Sequence, residues 1–153
     1  LWLIDTNEIA KENIFQTAIS LGVDKTRIVF SKRLSLKEHL SRQACANLAL
    51  DTFNVSSGTM TSLALNNGLP TITKPGRSFS SRLSSSILNS IGLNELICSN
   101  EQEYKEKAIN LSFKESYALK ERIFALQKTS PYFSSKIYCN NFETILKELI
   151  TSI

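Results

Sequence analysis

Short apolar, β-rich runs alternate with helix-sized intervals from the first residue to Cys98, and this alternation restricts the fold more than any other feature of the chain. Residues 2–4, 27–30, 48–51, 71–73 and 95–98 read as strands. Between the first two, Ala10, Ile14, Ala18 and Leu21 recur at helical spacing, and Gly22 follows where a helix should stop. Strands separated by helices close most simply into a parallel sheet, because each return to the same end of the sheet needs a crossover. The fold class expected is therefore α/β, a Rossmann-like parallel sheet with helices on both faces.

Beyond Cys98 the pattern becomes helical. Asn100 and Glu103 form a capping-box-like start to a helix carrying Tyr104 and Ala108. Leu119, Ile123 and Leu126 make one apolar stripe, Pro131 interrupts, and Phe142, Ile145, Leu146 and Leu149 make another. The serine-rich stretch 78–86 is broken by Phe79, Arg82 and Leu83, so it reads as a loop entering a helix. At 153 residues the chain has the size of one domain, and residues 1–153 are expected to form one, with 114–153 as a mainly helical tail. Opening directly on Leu1-Trp2-Leu3-Ile4, the chain reads as a fragment that begins inside a fold. Asp5 ends that run too early for a signal peptide, and no apolar stretch is long enough to span a bilayer.

Cys45, Cys98 and Cys139 are odd in number and far apart, which matches neither a disulfide framework nor metal-ligand spacing. A reducing cytoplasm is the expected location. His39 is the only histidine, which removes multi-histidine metal sites, and without a nucleophile motif such as G-x-S-x-G no hydrolytic triad is expected; no metal is expected. The formal charge of +4 includes an early basic group, Lys25, Arg27, Lys32, Arg33, Lys37 and Arg42, able to attract an anionic ligand. A solvated basic face explains it equally well. Without an aromatic-interleaved basic motif or zinc-finger spacing, nucleic acid is not an expected partner. The dinucleotide fingerprint and the phosphate loop of nucleotide triphosphatases are absent.

In an open parallel sheet, ligands bind beyond the carboxyl ends of the strands, where loops lead into helices. Two such places stand out. After the strand ending at Asp51, the segment Ser56-Ser57-Gly58-Thr59-Met60-Thr61 leads into a helix containing Leu63, Ala64 and Leu65. Its small residues would admit a phosphate to the backbone N–H groups of the helix start, with the hydroxyls of Thr59 and Thr61 adding hydrogen bonds. The same residues make an ordinary helix cap whether or not a ligand binds. After the strand ending at Phe30, Lys37, Glu38, His39 and Arg42 gather at another helix start. There His39 offers a flat ring to a base and Arg42 lies one turn along the same side; in isolation such residues are more often surface or packing groups.

The run Asp51-Thr52-Phe53 through Gly58-Thr59-Met60-Thr61, then Ala64-Leu65 and Gly68-Leu69-Pro70, resembles the protein O-linked N-acetylglucosamine transferase family, whose bacterial members carry a pattern like D-T-F-P-Y-N-G-G-T-T-T-x-D-A-L-W-x-G-x-P. The match continues through Gly76-Arg77, Phe79, Ser81-Arg82 and Gly92-Leu93-Asn94-Glu95-Leu96-Ile97. Upstream it includes Glu38-His39-Leu40-Ser41-Arg42, and late in the chain Ser130-Pro131-Tyr132-Phe133.

The resemblance implies the C-terminal half of a GT-B glycosyltransferase, the half that binds a UDP-sugar, probable identity UDP-N-acetylglucosamine. It implies that His39 caps the uracil, Arg42 helps hold the base, and Gly58, Thr59 and Thr61 bind the diphosphate. Lys37 stands one residue from a ribose-contacting lysine position that aligns with Leu36. The parent would invert the anomeric centre while transferring the sugar to Ser or Thr hydroxyls, with no metal or other cofactor. The acceptor protein would be recruited by N-terminal regions absent here, and no catalytic residue falls in this fragment.

Departures from the pattern are equally specific. Met60 stands where the family has a threonine, Leu63 where it has a ribose-contacting aspartate, Asn54-Val55-Ser56-Ser57 for P-Y-N-G, and Asn66 for a tryptophan. Losing a carboxylate on the ribose costs on the order of 1 kcal/mol. The alternative to a working donor domain is a degenerate, non-catalytic transferase domain kept as a binding or interaction module.

Overall fold

A computed structural model describes residues 1–152, which form two compact units, Leu1–Ser41 and a second beginning at Arg42. In the first unit, β1 (Trp2–Ile4) and β2 (Val29–Ser31) pair in parallel with Trp2 opposite Val29. The crossover between them is α1 (Glu8–Ser20), started by Asn7, whose side chain accepts the Ala10 N–H at 2.7 Å. Gly22, at φ 76°, ends it and lets the Val23 N–H return to Ala18 O at 2.8 Å.

Ala18 of the expected apolar stripe is buried, but Leu21 is not part of it: it follows the last helical residue and is 75% exposed. Phe15 takes the packing role instead, edge-on to Phe30 with ring centroids 5.2 Å apart. The expected strand 27–30 also moves. Asp24 caps a short 3-10 turn, Lys25–Arg27, so extended pairing begins only at Val29.

Helix α2 (Leu36–Gln43) carries the boundary between the units. In the second unit, β3 (Ala49–Leu50) and β4 (Thr71–Ile72) pair in parallel around the crossover helix α3 (Gly58–Asn66). A 3-10 turn at Ser80–Arg82 leads into α4 (Leu83–Ser90). The run 95–98 does not form the expected strand: the chain turns through a 3-10 segment at Asn94–Leu96, leaving a single parallel bridge between Thr73 and Ile97.

Three helices follow, α5 (Glu101–Asn110), α6 (Phe113–Thr129) and α7 (Ser135–Thr151). Asn100 caps α5 through the Glu103 N–H at 2.9 Å, while the Glu103 carboxylate reaches back to Ser99 rather than to the cap residue. Ser112 and Glu115 make the reciprocal capping box of α6.

The core lies in the second unit, where Leu65, Ile72, Leu88, Ile91, Leu93, Leu96, Cys98, Tyr104 and Ile123 are buried together. Leu119 and Leu126 flank Ile123 against it, so the first late stripe is a core face. The second stripe forms on α7 as expected, with Phe142, Ile145, Leu146 and Leu149 all exposed. No described helix is long and apolar enough to cross a membrane.

Candidate functional site

The carboxyl end of β3 carries a dense polar centre built around Asp51. Its side chain is 4% exposed, and both oxygens are occupied: Oδ1 accepts the Ser57 N–H at 2.7 Å, and Oδ2 accepts the hydroxyls of Thr73 at 2.6 Å and Ser56 at 2.9 Å. Burial pushes the Asp51 carboxyl up, but the bonds from Thr73, the Ser57 N–H, Ser56 and Ser84 outweigh it and hold the group below the usual aspartate range. A second set of bonds extends inward. The Ser56 hydroxyl meets that of Ser84 at 2.7 Å and accepts the Ser84 N–H at 2.8 Å, and the Ser84 hydroxyl meets that of Thr61 at 2.7 Å. Tyr104, raised to about 12 by burial and by the nearby Asp51 charge, donates its hydroxyl to Asp51 O at 2.9 Å.

This centre fixes how α3 begins. Ser57 occupies the cap position and its own side chain makes no cap bond. Gly58 packs closely there: a Cβ would lie 3.1 Å from Leu83 Cβ and 3.2 Å from Leu83 Cδ1, so the helix start rests directly on the start of α4. Thr59 and Met60 are exposed on the first turn, whereas Thr61 is 1% exposed. The Thr61 hydroxyl, expected to face a ligand, is thus committed to Ser84 inside the second unit.

The remaining sequence-predicted residues lie on α2. Ser35 and Glu38 bond reciprocally at its start, which holds the Glu38 carboxyl low. Lys37 is exposed, and His39 and Arg42 are half-buried, one helical turn apart. Lys37 and His39 belong to the first unit; Arg42, Gly58, Thr59 and Thr61 belong to the second.

The sequence assigns no site role to Asp51, Ser56, Thr73 or Ser84. Asp51 is visible as the end of a strand and the head of the family-like run, Ser56 as part of the loop before α3, and Ser84 lies 28 residues from Ser56 in a stretch whose serines give no sign of burial.

A parallel α/β unit with a helix start beyond its strand ends is common to many folds, and what separates them is the whole sequence. The pattern of glycosyl transferase family 41 matches residues 1–142. The chain belongs to this family. Among family 41 relatives, the Caenorhabditis elegans UDP-N-acetylglucosamine-peptide N-acetylglucosaminyltransferase is 30% identical over 151 residues, covering 97% of this chain and 13% of the worm protein. The probable enzyme of the same name, SEC, of Arabidopsis thaliana is 28% identical over 146 residues, covering 94% of this chain and 15% of its own length. A point mutant of the Thermobaculum terrenum O-GlcNAc transferase shares the fold at a TM-score of 0.84 and 24% identity, over 98% of this chain and 29% of that one. The α/β, Rossmann-like reading therefore holds, and the chain spans a small part of the length of the relatives it matches.

Proposed function

We propose that this family 41 chain binds the UDP-sugar donor of a protein O-glycosyltransferase, with UDP-N-acetylglucosamine the sugar nucleotide most consistent with its relatives' names. The observation that carries the reading is the start of α3, where exposed Thr59 follows Gly58 on a first turn to which the Ser57 side chain makes no cap bond. Such a start offers N–H groups and the positive end of a helix dipole to a diphosphate. In transfer to a Ser or Thr hydroxyl, negative charge grows on the departing UDP, and fixed N–H donors stabilise it more strongly as it grows. No step of this reading uses a metal or a cofactor.

On α2, the same reading assigns the base to His39 and Arg42 and the ribose to the neighbourhood of Lys37. Thr61 supports the diphosphate site from within by holding Ser84, rather than by touching the ligand. Calorimetric titration of UDP into the chain and into Thr59→Trp tests the site. Saturable binding that the substitution lowers at least tenfold, with the melting temperature unchanged, supports it; equal affinity of the two proteins removes the diphosphate from α3.

A second reading, a degenerate module that binds no donor, is favoured by one observation. Met60, an apolar side chain 40% exposed, stands on the same first turn, where a hydroxyl would serve an anion better.

A further inference from the structure

We propose that Asp51 is a positioning residue for the ligand end of α3, an inference that rests on the donor-binding reading above. A buried carboxylate close to a diphosphate site repels the ligand, so any benefit it brings to binding is geometric. The geometry is specific. Oδ1 draws the Ser57 N–H inward and Oδ2 holds the Ser56 hydroxyl, so the two residues immediately before Gly58 are tied to the end of β3.

Ser56 passes the constraint to α4 through Ser84, and Ser84 passes it back to α3 through Thr61. The first turn of α3 is thereby held on both its entry and its inner face. Thr73 anchors the same carboxylate from the β4 side without touching the loop. With the Ser57 N–H taken by Asp51 and the Gly58 N–H by Ser56 O at 3.0 Å, the donors left for a ligand are those further into the first turn, beside Thr59. A loop fixed in advance binds with less ordering cost than one that must be gathered by the ligand.

The separation between loop bonds and the Thr73 bond supplies the test. UDP is titrated into the chain, Asp51→Asn and Thr73→Val, with melting temperatures and amide exchange at Ser57 followed in each. Asp51→Asn, which replaces one of the two acceptor oxygens by an NH2 donor, is expected to weaken UDP at least tenfold. Thr73→Val, which keeps the Ser56 and Ser57 bonds, should lower the melting temperature yet leave UDP affinity within twofold and Ser57 protected. If Asp51→Asn does not fold, Ser56→Ala removes the Ser56 tie to the carboxylate and to Ser84 while keeping the Ser57 bond, and carries the same expected loss of UDP affinity with Ser57 still protected.

Loss of affinity in both variants in proportion to lost stability would make Asp51 a structural residue only and overturn the proposal. So would wild-type affinity in Asp51→Asn. A wild-type chain that binds no UDP overturns the donor-binding reading and this inference together.

Discussion

At the scale of single residues, the account turns on an anion kept buried by donors. Asp51 has its carboxyl held below the ordinary aspartate value of about 3.9, so the native state favours the ionised form more than the unfolded chain does. Its stabilising contribution is present above the unfolded value and is lost as pH falls through the folded one. Acid unfolding monitored by circular dichroism should therefore lose stability below about pH 4, and Asp51→Asn, although less stable at neutral pH, should flatten that acid limb. An unchanged limb would mean other carboxylates dominate it. Tyr104 adds no titration in this range, since burial holds its hydroxyl protonated up to about pH 12.

At the scale of elements, two glycines with the same backbone conformation separate strain from crowding. Gly68 and Gly92 have φ of 71° and 77°, but a Cβ at Gly68 would lie 2.7 Å from Phe124 Cζ, while at Gly92 nothing lies within 4 Å. Gly92→Ala should cost about 1–2 kcal/mol from the left-handed backbone alone. Gly68→Ala should cost more, because the Phe124 ring must also shift; equal losses in urea unfolding would refute the crowding. Removing the capping box with Ser112→Ala should cost about 1 kcal/mol, read from the same curves.

These elements also show what the sequence made legible. Periodicity located β1, the α1 crossover and the start of α5 at Asn100, because strand alternation and capping are local signals. It misplaced 95–98, because the turn that replaces the strand is closed by the Leu96 N–H on Leu93 O and the Ile97 N–H on Asn94 O, bonds that an apolar run does not advertise. The exposed Thr59 and the small Gly58 were legible as a possible ligand contact. The inward turn of Thr61 was not, because its partner Ser84 is 23 residues away and is buried only once α3 and α4 have packed.

For the whole molecule, the chain's family is clearer than its working range. Family 41 covers residues 1–142, yet the match spans only 13% of the worm relative and 15% of the Arabidopsis one. Transfer itself is therefore proposed for a longer protein, and donor binding for the present chain. The core of the second unit, from Leu65 to Ile123, includes Leu65 of α3 itself. Location in the cytoplasm and recruitment of an acceptor protein are likewise proposals about the longer protein.

The most direct measurement is calorimetric titration of UDP into the chain, with GDP and ADP under the same conditions. The account predicts saturable binding with UDP preferred over both, undiminished by a metal chelator. Absence of saturable UDP binding, or equal affinity for the three nucleotides, would contradict it.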